Sequence, residues 1–446
     1  MTAYQPKTLP VDGDGFVQAF SLDDTAGLQS FFEEYGFVVV DGVLGEAARA
    51  DTIREIWATI EGCCGGRLNI DRDDPSSWRR RWPGGGPGLL GQAVGAAAWR
   101  NRANPSLRAV FEHLVGRSDL VCSVDNYGVL RPTRRVPMRR LPPQAPSRTD
   151  VVVAAVAGEA GGSGATGGSG SRAAAMPLAP AAAAGAVPAL PEPALSPAEP
   201  EEAAAGGKCD GGGRGEVPSD MPSDMLSDMP SWKTKSRWLH WDLSPFHWAA
   251  GTMPPYAFTP YTWISENNGT PREPRARAKV QGLLNLVDAR AEDGGFLCVP
   301  GFHAHLTEWV ALPQNRACKE SAAAGAFDYL EVPPGDPMHG WAQPVPMRAG
   351  SLLVWNSELP HCNFHNDSER FRMVQYVKCF PCPEEPATGA AAAAAPSVAG
   401  FGATTVGLAG TRAAIAAWTA SSLGAEQVAA LTDEQRAMLG LQDYAR

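Results

Sequence analysis

The sequence predicts a mixed α+β fold, mainly β, with a β-barrel or jelly roll at its core, flanking helices and one long disordered insertion. In the second half of the chain, short β-rich segments separated by turns outnumber long helical patterns, which is typical of barrels and jelly rolls. Glycine and proline are abundant in the 446 residues and concentrate in one central block. That concentration indicates a folded domain interrupted by an unstructured segment.

Composition and charge exclude several functional classes. The formal net charge of −10 argues against a general nucleic-acid binder, because phosphate contacts need a basic surface. No apolar run approaches the ~18–20 residues that a membrane span requires. The nine cysteines are irregularly spaced and the first residues carry no secretory signal, which indicates a reducing compartment. We therefore expect a soluble cytoplasmic protein without a nucleic-acid partner or a membrane span, and the sequence leaves its oligomeric state open.

The amino-terminal part alternates helices with short strands. Residues 1–15 lack periodicity and are predicted to form a flexible arm. Apolar residues at helical spacing end at Tyr35-Gly36, where glycine serves as a helix cap, and a β-branched run follows. The predicted elements are helices over 23–34, 46–61 and 105–116 and strands over 37–40 and 120–130.

The central block sets the predicted domain organisation. Residues 142–230 are mostly Ala, Gly, Pro and Ser, and such a segment buries too little apolar surface to offset its ordering entropy. We predict a disordered insertion there, within a single domain made of residues 16–141 and 231–385. An Ala-rich tail, 386–446, ends in a helix that starts near Thr432.

After the insertion, a tryptophan-rich region marks the return of a packed core. Four later segments combine β-branched and aromatic residues between turn signals. The predicted strands cover 281–288, 295–299, 350–355 and 370–378.

His240 and Asp242 lie two residues apart in the segment Trp238-Leu-His-Trp-Asp-Leu. On an extended backbone, side chains alternate between faces, so this imidazole and carboxylate point the same way. They match two members of the 2-His-1-carboxylate triad of non-haem Fe(II) oxygenases, which leaves coordination positions open. A polar strand edge is the ordinary alternative for an isolated His-x-Asp.

Two histidines compete for the third ligand position. His361 comes directly after the turn that ends a predicted strand, where a scaffold fixes a ligand rigidly. His365 lies further along, in a polar loop. The position of His361 favours it over His365.

Arg370 and Arg372 are candidates for binding the second carboxylate of 2-oxoglutarate. Arginine binds carboxylates through two parallel hydrogen bonds. Both residues have the same parity on the predicted strand, so alternation does not choose between them.

The order of these motifs resembles the phytanoyl-CoA dioxygenase-like (PhyH) family of Fe(II)/2-oxoglutarate-dependent oxygenases. The resemblance covers about residues 20–135 and 232–385. The motifs that carry it are Tyr35-Gly-Phe-Val-Val, His240-Trp-Asp-Leu-Ser-Pro, Gln281-Gly-Leu-Leu, Gly294-Gly-Phe-Leu-Cys-Val-Pro-Gly-Phe-His, His361-Cys-Asn and Arg372-Met-Val-Gln-Tyr.

The resemblance implies a double-stranded β-helix (jelly-roll) core and assigns roles to residues. It implies iron bound by His240, Asp242 and His361, and 2-oxoglutarate bound by Arg372. Further expectations are cofactor contacts from Gln281 and Asn285, and substrate-lining positions at Trp241, His303 and Trp248.

The expected reaction is hydroxylation of a small-molecule, lipid-like or acyl substrate, with O₂ and 2-oxoglutarate consumed, succinate and CO₂ released, and ascorbate as a candidate reductant. Related halogenases lack the carboxylate ligand, so the presence of Asp242 favours hydroxylation. The sequence does not identify the substrate.

Two alternatives remain at this point. One is a noncatalytic jelly-roll protein that retains the oxygenase fold for binding. The other is a structural zinc site formed by Cys379 and Cys382 with Cys63 and Cys64. Zinc sites favour repeated Cys-x₂-Cys units and the chain offers one, so core or surface thiols are the favoured interpretation.

Overall fold

A computed structural model describes residues 4–79, 82–83, 88–137, 226–236, 238–243, 245–250, 257–258, 263–264, 280–315, 328–381 and 408–442. They belong to one compact unit formed by residues 1–138 and 212–446. The predicted insertion at 142–230 lies outside the described residues, except for its last five positions.

Helices flank the sheets at both ends of the chain. The α-helices are α1 (Thr25–Tyr35), α2 (Glu46–Gly62), α3 (Ala96–Arg102), α4 (Pro105–Val115), α5 (Pro245–Ala250), α6 (Leu306–Val310), α7 (Met338–Trp341), α8 (Leu408–Ala430) and α9 (Asp433–Met438). Short 3₁₀ turns cover Cys63–Gly66, Pro75–Arg79, Pro230–Trp232, Phe302–His305 and Pro313–Asn315. None of the helices within the described residues combines the length and apolarity that crossing a membrane would need.

The strands are β1 (Phe37–Val40), β2 (Leu89–Gln92), β3 (Leu120–Cys122), β4 (Asn126–Leu130), β5 (Val136–Pro137), β6 (Leu226–Ser227), β7 (His240–Leu243), β8 (Ala257–Phe258), β9 (Trp263–Ile264), β10 (Val280–Asn285), β11 (Phe296–Cys298), β12 (Asp328–Glu331), β13 (Gln343–Pro344), β14 (Leu352–Asn356), β15 (His361–Asn363), β16 (Arg372–Val377) and β17 (Cys379–Pro381). The predicted strand over 120–130 is thus two strands, and helix α3 was not predicted.

Two antiparallel sheets contain most of the strands. The first has six strands in the order β1-β14-β10-β16-β4-β2, and the second has five in the order β12-β7-β15-β11-β13. Their strands pair antiparallel throughout. This confirms a mixed fold of helices and antiparallel sheets.

Local signals explain where the first elements begin and end. The Asp24 side chain accepts a hydrogen bond from the Gly27 N–H at the start of α1. Gly36 ends the helix at φ 78°, a left-handed conformation that favours glycine. The strand β1 that follows is fully buried, which confirms the predicted helix and strand.

One face of the six-stranded sheet is fixed to helices by buried polar contacts. Asn101 of α3 donates hydrogen bonds to Thr52 of α2 and to Gln375 of β16, each 2.8 Å long. Gln375 in turn donates to the Ala98 carbonyl. Because side chains alternate along β16, Arg372, Val374 and Tyr376 lie on the opposite face.

The segment predicted as a flexible arm packs against the core instead. The Tyr4 hydroxyl donates to the Pro300 carbonyl at 2.7 Å, and both Tyr4 and Leu9 are buried. Phe20 N–H donates to the Val39 carbonyl. Isolated aromatic and apolar residues hold this segment against the core. Because they show no periodicity, the sequence pattern did not predict the packing.

The end of the predicted insertion is also structured. β6 pairs antiparallel with β5, bringing Leu226 opposite Pro137. Asp228 forms an ion pair with Arg134. The predicted boundary at 230 is therefore about five residues too late, since the Ser-Asp-Met repeat masks a short strand.

The carboxyl-terminal tail contains more helix than predicted. Helix α8 precedes the predicted terminal helix and contains a non-helical residue, Gly424. The predicted terminal helix is confirmed as α9, with a capping box between Thr432 and Gln435.

Candidate metal and cofactor site

Neighbouring strands bring two histidines and a carboxylate together. His240 and Asp242 lie on β7, and His361 begins β15 directly opposite His240. One ligand atom from each residue lies within 4.8 Å of the others. Among the described residues this is the one group with a geometry that could hold a metal ion.

Backbone carbonyls orient both imidazoles. Nδ1 of His240 lies 2.9 Å from the Trp238 carbonyl, and Nδ1 of His361 lies 2.9 Å from the Leu359 carbonyl. A carbonyl accepts, so Nδ1 carries the proton in each ring and the lone pair of Nε2 faces the centre. Both nitrogens are thus prepared to bind a metal.

Aromatic rings surround the two histidines. Trp238 stacks on His240 with centroids 4.6 Å apart, and Phe296 stacks on His361 at 5.6 Å. The Trp355 ring lies 5.2 Å from His361. These contacts fix the ring planes and keep water from one side of the site.

Asp242 is the electrostatic centre of the group. Its Oδ1 lies 3.2 Å from His240 Nε2, and its Oδ2 lies 4.0 Å from His361 Nε2 and 3.5 Å from Lys378 Nζ. Partial burial acts to raise the pKa of the carboxyl, but Lys378, His240 and His361 outweigh it and hold that pKa well below its ordinary value. Asp242 is therefore an anion at neutral pH.

His361 is held neutral. Burial, together with the neighbouring His240, lowers its pKa to about 4. A neutral imidazole is the form that binds a metal, so protons do not compete for this ligand near neutral pH.

Arg372 lies on the interior face of β16 and is 1% exposed. Its Nη1 donates to the Tyr376 hydroxyl at 3.2 Å, while its Nε and Nη2 are buried without a partner among the described residues. Asn363 also donates to the Tyr376 oxygen, at 2.7 Å. Since that oxygen already accepts two bonds, the Tyr376 O–H is directed elsewhere as a donor. Buried donors are normally satisfied, so this cluster fits an absent carboxylate.

Arg370 is occupied by other carboxylates. Its Nη2 lies 2.6 Å from Glu292 and 2.8 Å from the buried Asp293. The structure therefore separates the two arginines that sequence parity could not, because only Arg372 presents unpaired donors to the interior.

The two residues predicted to contact the cofactor, Gln281 and Asn285, differ in position. Gln281 faces the interior beside Trp355 and donates to the Ser357 hydroxyl at 3.1 Å. Asn285 lies deeper, and its amide donates to the carbonyls of Val287, Met347 and Arg348. The side-chain amide of Asn285 thus fixes a turn, while its Oδ1 is buried without a partner among the described residues, and its cofactor contact stays a prediction.

The structure describes the side chains of two of the three predicted substrate-lining residues, Trp241 and His303. Trp241 alternates away from His240 and Asp242, is 1% exposed, and packs 4.8 Å from Trp309. His303 packs against Gly36 and hydrogen-bonds to the backbone of Glu33. The alternation of side chains along a strand already indicated that Trp241 points away from the face of His240 and Asp242. For Trp248 the structure describes the backbone, in α5, and the side chain lies outside the described residues.

The alternative ligands lie elsewhere. His365 follows β15 and is not part of the group of His240, Asp242 and His361. Cys379 faces Cys122 across β17 and β3 with sulfurs 3.0 Å apart, while Cys63 and Cys64 belong to a separate 3₁₀ turn. Within the described residues, these cysteines do not assemble a zinc site, and Cys382 lies outside them.

Sequence reasoning missed four interior residues: Trp355, Asn363, Tyr376 and Lys378. Tyr376 and Lys378 share the parity of Arg372, so alternation along β16 and its extension carried a usable signal. Asn363 has the same parity as His361 on β15.

Residues 229–374 match the family model described as Phytanoyl-CoA dioxygenase (PhyH). The match covers residues 229–374 of the 446 and shows that this segment is similar to the family. His240, Asp242, His361 and Arg372 all fall within the matched segment. On this match we assign the protein to the dioxygenase class of oxidoreductases, and the match confirms the predicted family resemblance.

Similar proteins include a Dictyostelium discoideum protein named "Putative phytanoyl-CoA dioxygenase", 22% identical over 405 residues, or 84% of this chain and 85% of that one. AviO1 from Streptomyces viridochromogenes Tue57 is 12% identical, covering 82% of this chain and 98% of its own, with a TM-score of 0.35. The non-heme alpha ketoglutarate dependent epimerase SnoN from nogalamycin biosynthesis is 12% identical, covering 80% and 82%, with a TM-score of 0.34. Superpositions at this level carry no argument, so the assignment rests on the family match.

Proposed function

We propose that this protein is an Fe(II)- and 2-oxoglutarate-dependent dioxygenase that hydroxylates a small-molecule or lipid-like substrate. The observation that carries the proposal is a His-Asp-His group together with buried, unpartnered guanidinium donors on the interior face of β16. A metal site alone fits many enzymes. The added requirement for a carboxylate at Arg372 favours a dicarboxylate co-substrate.

We also propose that the two sheets form a double-stranded β-helix, or jelly roll. Support comes from the order in which the chain visits them. β4, β10, β14 and β16 belong to the six-stranded sheet, and β7, β11, β13 and β15 belong to the five-stranded sheet. The chain thus crosses repeatedly between the two sheets, as a jelly roll requires.

Each residue of the site has a defined task in this proposal. His240, Asp242 and His361 hold the metal on one side and leave its other positions open. Arg372 and the Tyr376 hydroxyl bind the distal carboxylate of 2-oxoglutarate. When bound, the metal and 2-oxoglutarate supply the oxidising chemistry, in which O₂ is consumed, succinate and CO₂ are released and a substrate C–H bond is hydroxylated.

The surrounding rings limit where the substrate can bind. Trp238, Phe296 and Trp355 cover the histidines, so the approach to the metal is left to the side on which Asp242 is partly exposed. Excluding water strengthens the electrostatic contacts inside the site.

The proposal is tested by anaerobic titration of the purified full chain with Fe(II) and 2-oxoglutarate, following the metal-to-ligand charge-transfer absorption. The wild type is expected to develop the band. His240→Ala, Asp242→Ala and His361→Ala should abolish it, because each removes one of three ligands. His365→Ala is the matched control, since it removes the competing histidine and should retain the band.

A folded wild-type protein that develops no band with both additions would overturn the proposal. The protein would then be a noncatalytic binding jelly roll. A band that survives His361→Ala but not His365→Ala would move the third ligand to His365.

A further inference from the structure

Lys378 is a cation built into the metal site. Its Nζ lies 3.5 Å from Asp242 Oδ2, and its side chain is 13% exposed. It lies at the junction of β16 and β17, with the parity of Arg372 and Tyr376, and therefore faces the interior. It lies four residues beyond the segment that the family model matches.

The backbone at Lys378 is held by two hydrogen bonds to Ser123. Ser123, which is fully buried, donates its N–H to the Lys378 carbonyl at 2.7 Å. The Lys378 N–H donates to the Ser123 hydroxyl at 2.9 Å. With the backbone fixed on this side, the position of the ammonium depends on side-chain rotation alone.

The two carboxylate oxygens of Asp242 face different groups. Oδ1 lies closest to His240, whereas Oδ2 lies closest to Lys378. A carboxylate that binds a metal through both oxygens occupies two coordination positions, and one of the three open positions is then lost. A cation at one oxygen opposes that arrangement.

We propose that Lys378 is a positioning residue that holds Asp242 as a one-oxygen metal ligand and thereby keeps the adjacent coordination position open. This inference rests on the proposed function.

The test uses Co(II) as a metal probe on the full chain, with affinity and ligand-field absorption as readouts that do not depend on turnover. Lys378→Met keeps the length of the side chain and removes its charge. It is expected to change the absorption spectrum, because Asp242 can then bind through both oxygens, and to tighten Co(II) binding by roughly 10-fold, because the ammonium no longer repels the metal. Lys378→Arg restores a cation and should return both readouts toward wild type.

Lys7→Met is the matched control, because it removes an ion pair with Glu34 away from the metal site. It should leave both readouts unchanged. If Lys378→Met does not fold by circular dichroism, Lys378→Gln, which keeps a polar end group, carries the same test. Co(II) affinity within about twofold of wild type, with an unchanged spectrum, overturns the proposal.

Failure of the proposed function would look different. In that case wild type would bind no 2-oxoglutarate in the Fe(II) titration, whatever the Lys378 variants do with Co(II). A normal wild-type charge-transfer band with Lys378 variants that match wild type would instead reject only the role of Lys378.

Discussion

Arg372 presents a fully buried guanidinium with two nitrogen positions that no described residue satisfies. Leaving such donors unpaired costs free energy, so a buried guanidinium in this state indicates that a hydrogen-bond acceptor is missing. Arg370, two residues earlier, shows the contrast, since Glu292 and Asp293 neutralise it. The two arginines therefore provide a matched pair for experiment.

Arg372→Met should weaken 2-oxoglutarate binding by roughly 10- to 100-fold, as expected from the loss of charge-assisted hydrogen bonds. Arg372→Lys should bind 2-oxoglutarate with an affinity between those of wild type and Arg372→Met, because lysine keeps the charge but loses the paired hydrogen-bond geometry. Titration of the charge-transfer band measures both. Arg370→Met should bind 2-oxoglutarate within about twofold of wild type, and equal losses in the two methionine variants would contradict this assignment.

His361 links the site to the pH dependence of stability. Its pKa in the folded protein is about 4, below its ordinary 6.5, because of burial and the neighbouring His240. The unfolded chain therefore binds this proton more tightly. The contribution of His361 is complete above about pH 6.5 and is lost as the pH falls toward 4.

Metal-free wild type should accordingly lose about 2 to 3 kcal/mol more unfolding free energy between pH 7 and pH 4.5 than His361→Gln does. Denaturant titration in the presence of a chelator at the two pH values measures this. His113→Gln replaces an exposed residue of α4 and should lose the same unfolding free energy between the two pH values as wild type. An identical pH dependence of stability in wild type and His361→Gln would refute the lowered pKa of His361.

At the scale of the element, β4 makes room for the site. A Cβ on Gly128 would lie 2.9 Å from Arg372 Nη1, 2.9 Å from the Tyr376 ring and 2.9 Å from a Val374 methyl group. Such contacts are too close, so glycine at this position lets β16 present its arginine against the neighbouring strand. Gly91, on the adjacent strand β2, has nothing within 4 Å of the corresponding position.

Gly128→Ala should therefore displace the Arg372 side chain and weaken 2-oxoglutarate binding several-fold, with a loss of stability of about 1 to 3 kcal/mol from overpacking. Gly91→Ala should change neither property. The charge-transfer titration and a thermal melt report the two effects. If Gly128→Ala matched Gly91→Ala in both, the close contact would have no functional consequence.

At the scale of the whole molecule, one metal site is assembled from distant parts of the chain. β7 follows the long segment between residues 138 and 225, while β15 and β16 come more than a hundred residues later. β5 and β6, on either side of that segment, pair with each other, and ion pairs join Arg134 to Asp228 and Asp367. The two chain ends that flank the segment are thus already side by side.

Replacing residues 139–225 by a short Gly/Ser linker should preserve folding and Fe(II) binding, because Pro137 and Leu226 are directly paired. We expect the melting temperature to change by no more than a few degrees. Loss of folded protein would show that the segment contributes to the domain. As a control, removing 139–230, which also deletes β6 and Asp228, should cost additional stability.

The sequence by itself determined the features that depend on local backbone geometry. Alternation placed His240 and Asp242 on one face of a strand, and capping signals gave α1 and α9. The order of motifs then indicated a resemblance to the dioxygenase family, and the match of residues 229–374 confirms that resemblance.

Only the tertiary structure decided the features that depend on which segments become neighbours. The register that sets His361 opposite His240, the carboxylates that neutralise Arg370, and the turn that occupies Asn285 all involve residues distant in sequence. The side-chain period of a strand gives the face of a residue but not its partner. That is why parity could not separate Arg370 from Arg372, and why the contact between Lys378 and Asp242 became visible only in the folded protein.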